Sequence, residues 1–496
     1  MTRRSPAVAI VGAGMSGLCI AAVLRRAGIT DITILEKSGE VGGTWRDNTY
    51  PGLSCDIPSR FYQFTFAPKP DWSKFFSPGG EIAHYFRHLA TDLDIRRHIR
   101  FGTTVTDARY ESGRWRVLTS CGDEITADFL VAATGILREP RLPDIDGLNN
   151  FRGPVMHSAR WDHSVDLAGK RVAVIGTGST GVQIVCGLEP LVAELKLFQR
   201  SAQWVVPVPN PSYTKLTDAI RRRVPALNAV AYHGYLGVFE FLATALVRPG
   251  WKRRLISALC RANLRTVVDP DLRRRLTPDY EPMCRRLVIS AGFYRAMQRP
   301  NVSLVDTRIE RVEAAGIVTS DGRLHAVDAI VLATGFDAHA FMRPMNIIGQ
   351  EGMSLDERWA DGPRAHLGVG LPGFPNFFMM MGPHSPVGNY SLTAIAEHQS
   401  EHIVRWIRRW QDGCIDAVSP TTAATDVFNA EMHAAMPGTV WASGCTSWYL
   451  GKDGVPELWP WTPGAYRRRM RAEPNLSDYD LVTTREDQSA RSYSAR

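Results

Sequence analysis

The chain has 496 residues, 44% of them hydrophobic and 22% charged. That is ordinary for a folded protein of roughly two to four domains, and it excludes wholesale disorder, collagen-like repeats and mini-protein scaffolds. Its 58 Lys and Arg against 50 Asp and Glu leave a formal charge of +8, which suits a phosphorylated ligand but is too small to indicate nucleic-acid binding.

Residues 7–11 (AVAIV) predict a short buried strand. Because this run leads straight into a glycine-rich loop, it is read as a first strand and not as a signal peptide. Gly12-Ala13-Gly14-Met15-Ser16-Gly17 follows, then a helix to Ala27 and a second strand, Ile32–Leu35, ending in Glu36. This is a complete βαβ dinucleotide fingerprint. Gly12 allows the tight turn, Gly14 the approach of a pyrophosphate, and Gly17 close helix packing. Glu36 is placed to accept the hydroxyls of a ribose.

The pattern recurs. A strand at Arg171–Ile175 precedes Gly176-Thr177-Gly178-Ser179-Thr180-Gly181, a helix, and a strand at Leu195–Phe198. Here Gln199-Arg200-Ser201 replaces the acid. A carboxylate would repel a 2′-phosphate, whereas an arginine pairs with it. The first site therefore reads as a ribose-diol binder and the second as an NADP(H) binder. Two further apolar runs, Phe129–Ala132 and Ala329–Leu332, each end at an Ala-Thr-Gly corner, the first carrying Thr134.

Between these motifs, residues 210–282 read as helical and basic. The apolar stretch Ala226–Val247 approaches the length of a membrane span, but Asn228, His233 and Glu240 interrupt it. It is read as a helical insertion packing on the nucleotide domain, without an obligatory membrane. A weak contact of its basic face with a lipid surface stays open. Ser477 to Arg496 is polar and aperiodic and reads as a partly ordered tail.

The eight cysteines are Cys19, Cys55, Cys121, Cys186, Cys260, Cys284, Cys414 and Cys445. None form CxxC or a zinc-spaced cluster, so no metal site is expected. They read as reduced, buried, inert thiols of a cytoplasmic protein. Two dinucleotide sites imply FAD held throughout turnover and NADPH reducing it. Disulfide reductases share that plan, but they need a redox cysteine pair beside the flavin, which this sequence is not expected to supply, so that reading falls.

The segment Phe151-Arg152-Gly153-Pro154-Val155-Met156-His157-Ser158-Ala159-Arg160-Trp161-Asp162 reads F-x-G-x-x-x-H-x-x-x-W-D. It resembles the fingerprint of type I Baeyer–Villiger monooxygenases. Gly42-Gly43-Thr44-Trp45, then Tyr50-Pro51-Gly52 and Asp56, and the later Gly335-Phe336-Asp337, resemble further motifs of that family.

This resemblance implies an α/β fold of two Rossmann-like dinucleotide-binding domains with a helical insertion in the NADP domain. The expected divisions are 1–145 and 390–496 for the FAD domain, and 146–389 for the NADP domain with its insertion. It implies oxygen insertion beside a ketone carbonyl, giving an ester or lactone, with O2 as co-substrate. Oxygenation of nitrogen or sulfur is the alternative. A non-catalytic NADP(H)-responsive flavoprotein is a third reading, from a different class. A flavin C4a-peroxide needs a dry site and a fixed positive charge, and the resemblance assigns that role to Arg286 of the pair Arg285-Arg286, oriented by Asp56.

The same resemblance gives Arg285, Arg200 and Ser201 to the 2′-phosphate. Gly12, Gly14, Ser16, Gly17, Glu36, Lys37, Gly43, Thr44, Trp45, Asp56, Tyr62 and Thr134 are expected at the flavin. Gly176, Gly178, Ser179, Thr180, Gly181, Gln183, Arg286 and Trp448 are expected at the nicotinamide nucleotide. Phe151, Gly153, His157, Trp161 and Asp162 are expected to link the domains, with His157 coupling nucleotide binding to their motion. Gly451-Lys452-Asp453-Gly454 departs from the G-x-N-x-x-G-K of the best-known members, so the substrate-gating loop is expected to differ. Met379-Met380-Met381 reads as either an adaptable pocket wall or a buried strand. A monomer is favoured.

Overall fold

The computed structural model describes residues 4–386, 388 and 390–483. The chain opens with strand β1 (Val8–Val11), helix α1 (Met15–Arg26) and strand β2 (Ile32–Leu35). Strands β3 (Ile99–Arg100), β4 (Phe129–Ala132), β5 (Val155–His157) and β6 (Arg171–Ile175) follow. Helix α2 (Ser179–Leu188) and strand β7 (Glu194–Phe198) complete the second glycine-loop unit. Three helices come next: α3 (Lys215–Arg223), α4 (Ala226–Val247) and α5 (Trp251–Leu264). Strands β8 (Val302–Val305), β9 (Ala329–Leu332) and β10 (Phe377–Met379) precede the long helix α6 (Leu392–Gln411).

Two five-stranded parallel sheets result, ordered β10-β4-β1-β2-β3 and β8-β7-β6-β9-β5. Their central strands are apolar because both faces are covered. Residues 8–11 and 129–132 are buried throughout, as are 172–175 and 329–332. In each sheet the glycine loop leaves the carboxyl end of the strand where the order reverses, the usual place for a dinucleotide crevice. Small antiparallel sheets flank both units, at Val105–Glu111, Arg114–Thr119 and Glu124–Ala127, and at Ile309–Glu313, Gly316–Thr319 and Leu324–Ala326.

Three expectations need correction. First, β10 pairs with β4, Met379 opposite Ala132, so the chain rejoins the first sheet before residue 390. Only the non-local pairing reveals this. Second, the segment from Ser477 is not all tail: Tyr479–Val482 pairs antiparallel with Ala417–Pro420, while residues 484–496 lie outside the described residues. Third, the cysteines are not all inert thiols. Cys284 and Cys445 form a disulfide across 161 residues. Cys121 and Cys414 are exposed, and Cys186 is half-buried.

Helix α4 turns one side toward the first unit. Tyr232 and Phe239 each pack on Phe61 with ring centroids 5.1 Å apart. Ala245 and Val247 share an apolar cluster with Met283, Trp441 and Tyr449.

Candidate active site

The first glycine loop is fixed by contacts that no side chain could survive. A Cβ at Gly17 would lie 1.9 Å from the Gly12 carbonyl oxygen, and one at Gly12, where φ is +104°, would lie 2.6 Å from that of Ala133. Gly14 faces Gly43 backbone to backbone, and a Cβ on Gly43 would come within 3.1 Å of the Gly14 Cα. The result is a side-chain-free cradle at the N-terminus of α1, where amide groups and the helix dipole favour phosphate. Ser16 and Gly17 are buried in the first turn.

Glu36 is buried at the end of β2. It accepts the Ala13 N–H at 2.8 Å and the Ser38 N–H at 2.9 Å, and pairs with Arg46 at 3.2 Å. Its carboxylate is thereby held rigid beside the loop. Lys37 and Thr44 are exposed at the mouth. Trp45 Nε1 donates to the Tyr62 hydroxyl at 3.0 Å, and the two rings meet edge to face at 5.5 Å. Burial holds the Tyr62 phenol well above its ordinary pKa, and hence protonated. Thr134 donates to the Phe341 carbonyl at 3.2 Å, tying the first Ala-Thr-Gly corner to the later chain.

The second loop repeats the geometry. A Cβ on Gly181 would sit 2.0 Å from the Gly176 carbonyl oxygen, and one on Gly176 would sit 2.3 Å from that of Ala333. Gly178 has nothing within 4 Å on its Cβ side, leaving room for a ligand at the start of α2, where Ser179 and Thr180 begin the helix. At the end of β7, Arg285 donates to Ser201 Oγ at 2.7 Å and stacks on the Tyr280 ring at 4.4 Å. Arg200 is exposed beside them. Two guanidiniums and a hydroxyl thus frame one edge of the second crevice, which is suitable chemistry for a phosphate monoester.

Gln183 lies on α2, but its side chain spans the two units. It donates to the Ser54 carbonyl at 2.9 Å and accepts from the Tyr50 hydroxyl at 3.0 Å. The turn at Pro51-Gly52 presses on the same helix, so a Cβ at Gly52 would meet the Gln183 carbonyl oxygen at 2.3 Å. That turn carries Asp56 toward the junction.

There Arg286 Nε and Nη2 donate to the two oxygens of Asp56, both at 2.8 Å. The pair is bidentate, with the side chains 31% and 23% exposed. The Asp56 carboxylate raises the Arg286 pKa further above its ordinary value, so this cation is permanent. Tyr449 is buried beside it, and burial pushes its phenol up to about 12 despite the guanidinium. The Cys55 thiol is also buried and held protonated. The sequence singled out Trp448 and passed over Tyr449, its neighbour. Trp448 is 39% exposed and packs on Tyr449 at 4.3 Å.

Tyr449 also lines a narrow cavity, together with Ile136, Phe341, Met381, Trp448 and Leu458 and the polar Ser385, His339 and Glu457. Met379 lies in β10 and Met381 lines the cavity, so the three-methionine run is both strand and wall. His339 reaches Glu457 at 3.3 Å on its rim, which raises the imidazole pKa. The Gly451–Gly454 segment forms a tight turn, with Gly454 at φ +77°, and Lys452 Nζ donates to the Ala360 carbonyl at 2.9 Å.

The Phe151–Asp162 segment packs into the second unit. Phe151 is buried, and a Cβ on Gly153 would strike both the Phe151 ring and the Asp328 carbonyl oxygen, within 2.6 Å of each. His157 ends β5 opposite Leu332 of β9, its Nδ1 accepts the Ala159 N–H at 3.1 Å, and its ring meets Phe336 edge-on at 5.9 Å. Burial lowers its pKa, so it is neutral. Trp161 packs on the second core, and Asp162 caps Ser164 at the surface.

Known proteins share this arrangement. The profile of the pyridine nucleotide-disulphide oxidoreductases matches residues 9–236. An uncharacterized monooxygenase of Mycobacterium tuberculosis is 59% identical over 97% of both chains. A Baeyer-Villiger monooxygenase of Streptomyces coelicolor is 39% identical over 96% of this chain and 92% of its own. Among solved structures, an oxidized steroid monooxygenase bound to NADP superposes with a TM-score of 0.86 at 33% identity, covering 96% of this chain and 99% of that one. An OTEMO complex with FAD and NADP gives 0.86 at 30% identity, covering 97% and 100%. The chain belongs to the Baeyer–Villiger monooxygenase family and is an FAD- and NADP-dependent flavoprotein monooxygenase.

Proposed function

We propose that this enzyme inserts one oxygen atom of O2 beside a ketone carbonyl to form an ester or lactone. The observation that carries the reading is the bidentate Arg286–Asp56 pair, placed where the two units meet and linked through Tyr449 to a mostly apolar cavity. Bound FAD, with NADPH as hydride donor, supplies the activation of dioxygen.

The chain's own groups do the rest. The Gly14–Gly43 cradle and the α1 N-terminus hold the flavin pyrophosphate, and Glu36 holds its ribose. Gly178 and the first turn of α2 hold the second pyrophosphate, and Arg200, Ser201 and Arg285 hold the 2′-phosphate. Trp448 would contact the nicotinamide nucleotide.

Arg286 keeps a fixed positive charge at the junction and cannot give up a proton there. Asp56 aims the guanidinium by holding two of its N–H groups, so the charge is in place before reaction. Negative charge that develops on the ketone oxygen during attack is stabilised by that cation. Met381, Leu458 and Ile136 give the cavity apolar walls, which limits water there and strengthens the charge interaction. His157 acts on the relative placement of the two units and not as an acid or base, because it is buried and neutral at the end of β5.

The test is product identification. FAD-loaded enzyme is incubated with NADPH, air and a mixed panel of ketones and thioethers. Esters or lactones one oxygen heavier than their ketones are expected. Sulfoxides alone, or NADPH consumption ending only in hydrogen peroxide, overturn the reading.

A further inference from the structure

Helix α4 is among the most apolar segments of the chain, and most of it is outside the core. Among the described residues it is the one helix long and apolar enough to cross a membrane, with a mean hydropathy of 1.3, yet only 22% of its apolar window is buried. A core helix would bury that surface. Its outer face presents Leu227, Val230, Val238 and Phe241, with Val230 67% exposed. Their spacing follows the helical repeat, so they form one stripe.

The stripe does not stop at the helix end. Phe241 meets Trp251 of α5 edge to face at 5.8 Å, and Trp251 is 60% exposed. Leu255 and Leu259, one and two turns further along α5, are exposed on the same side. Leu216 and Ile220 of α3 are exposed too, as is Val224 just beyond its end. Three consecutive helices thus each expose apolar side chains, and those of α4 and α5 join in one band at Phe241 and Trp251. Contiguous patches of this kind mark interaction surfaces, unlike scattered single hydrophobes.

Charge defines what the band meets. Residues 211–268 contain ten Lys or Arg but only two acids, Asp218 and Glu240. That excess of eight equals the net charge of the entire chain. Glu240 is turned inward, accepting the Gly464 N–H at 2.6 Å. Arg223, Arg248 and Arg254 are exposed beside Val224, the α4 C-terminus and Leu255. Lys252 lies over the Phe241 ring at 3.7 Å, an apolar stem and cationic head at the edge of an apolar band.

We propose that α3, α4 and α5 form a docking surface for an anionic lipid bilayer, on which the enzyme lies without spanning it. The apolar stripe enters the boundary between headgroups and acyl chains while the bordering arginines pair with lipid phosphates. Spanning is excluded by the inner side of α4. Tyr232 and Phe239 pack on Phe61, and Ala245 and Val247 belong to the cluster that holds Tyr449. A protein partner has no comparable claim, because the band combines an aliphatic and aromatic ridge with charge of a single sign. The inference is independent of which substrate is oxygenated.

The test uses FAD-loaded full-length protein floated with vesicles of phosphatidylcholine, with and without phosphatidylglycerol. Binding is expected only to the anionic vesicles. It should collapse between 0.1 M and 1 M salt, where the Debye length falls from about 10 Å to about 3 Å. The double variant Val230→Glu, Trp251→Glu should bind at least about tenfold more weakly, and Arg223→Glu, Arg254→Glu should do the same while removing no apolar side chain. Unchanged NADPH oxidation by both variants verifies that they fold. Equal recovery from neutral and anionic vesicles, or no recovery from either, overturns the proposal. So does a dimer in sedimentation velocity that the Val230→Glu, Trp251→Glu change dissociates, since the band would then join two copies of the chain.

Discussion

Arg286 and Asp56 lie 230 residues apart in sequence and meet through two parallel contacts of 2.8 Å. Asp56 comes from the loop after the Pro51-Gly52 turn, which rests on α2 of the second unit, and Arg286 from the loop between Cys284 and the short strand Val288–Ile289. The pair therefore fastens one nucleotide unit to the other as well as aiming a charge.

Replacement of Arg286 separates those roles. Arg286→Ala should lower ester formation by at least about 10²–10³-fold, the usual range for losing a preorganised charge in a dry site. Arg286→Lys keeps the charge but loses the fork, so an intermediate rate is expected. Asp56→Ala should fall between the two, because the cation remains but is no longer aimed. Product formation and NADPH oxidation are measured together. A variant that oxidises NADPH at a wild-type rate while releasing only hydrogen peroxide has kept hydride transfer and lost the oxygenation step. Near-normal ketone turnover by Arg286→Ala removes the residue from the mechanism.

Arg285 carries a different expectation. It stacks on Tyr280 and donates to Ser201 at the end of β7, and its proposed contribution is to the 2′-phosphate. Arg285→Ala should raise the KM for NADPH by about 10–100-fold, matching the loss of a charge-assisted contact, and leave kcat close to wild type. Its KM for NADH should barely move. A parallel loss with both nucleotides would place Arg285 in scaffold packing.

The parts of the site that were legible in the sequence are those set by local sterics. Gly17 against Gly12, and Gly181 against Gly176, are contacts within one turn of chain that admit no Cβ, and such constraints print a spacing into the sequence. The four central strands of the two sheets were legible for a similar reason, since burial on both faces demands an unbroken apolar run. The contact between Arg286 and Asp56 has no local signature, and only resemblance to a family pointed to it. Gln183 sits at helical spacing for a nucleotide contact, yet its side chain is engaged by Tyr50 and Ser54, which no spacing reveals. The return of Phe377–Met379 to the first sheet and the pairing of Tyr479–Val482 are likewise matters of register between distant segments.

Glu397 gives the stability a pH signature. It is buried in α6, with Thr65 donating both its N–H and its hydroxyl at 2.6 Å. Burial pushes its carboxyl up from 4.5 to about 7. The unfolded chain releases this proton near 4.5 and the folded chain holds it until about 7. The stabilising contribution is therefore full below pH 4.5 and is lost as pH rises through 7, by up to about 3 kcal/mol. The neighbouring His398 has the opposite sign. Burial lowers it from 6.5 to about 3, so its contribution is full above 6.5 and lost on acidification. Glu397→Gln copies the neutral acid and isolates the first effect. The melting temperature of the variant should exceed that of the wild type at pH 8 and converge with it near pH 4.5, and a constant difference across that range refutes the assignment.

The disulfide between Cys284 and Cys445 was invisible to cysteine counting because the two positions share no motif. Cys284 immediately precedes Arg285-Arg286, and Cys445 lies three residues before Trp448. One covalent link therefore ties the arginine pair to the loop that carries Trp448 and Tyr449. Closing a loop of 161 residues restricts the unfolded chain, and such links typically contribute about 2–4 kcal/mol. Cys445→Ser should accordingly lower the melting temperature. It should also raise the KM for NADPH more than it changes kcat, because Arg285 and Trp448, both proposed to contact the nicotinamide nucleotide, are no longer held to one another. Thiol counting under denaturing conditions should find six free thiols in the untreated protein and eight after reduction, given the six cysteines outside the bond. Eight before reduction, or a Cys445→Ser variant with wild-type melting temperature and KM, refutes the link.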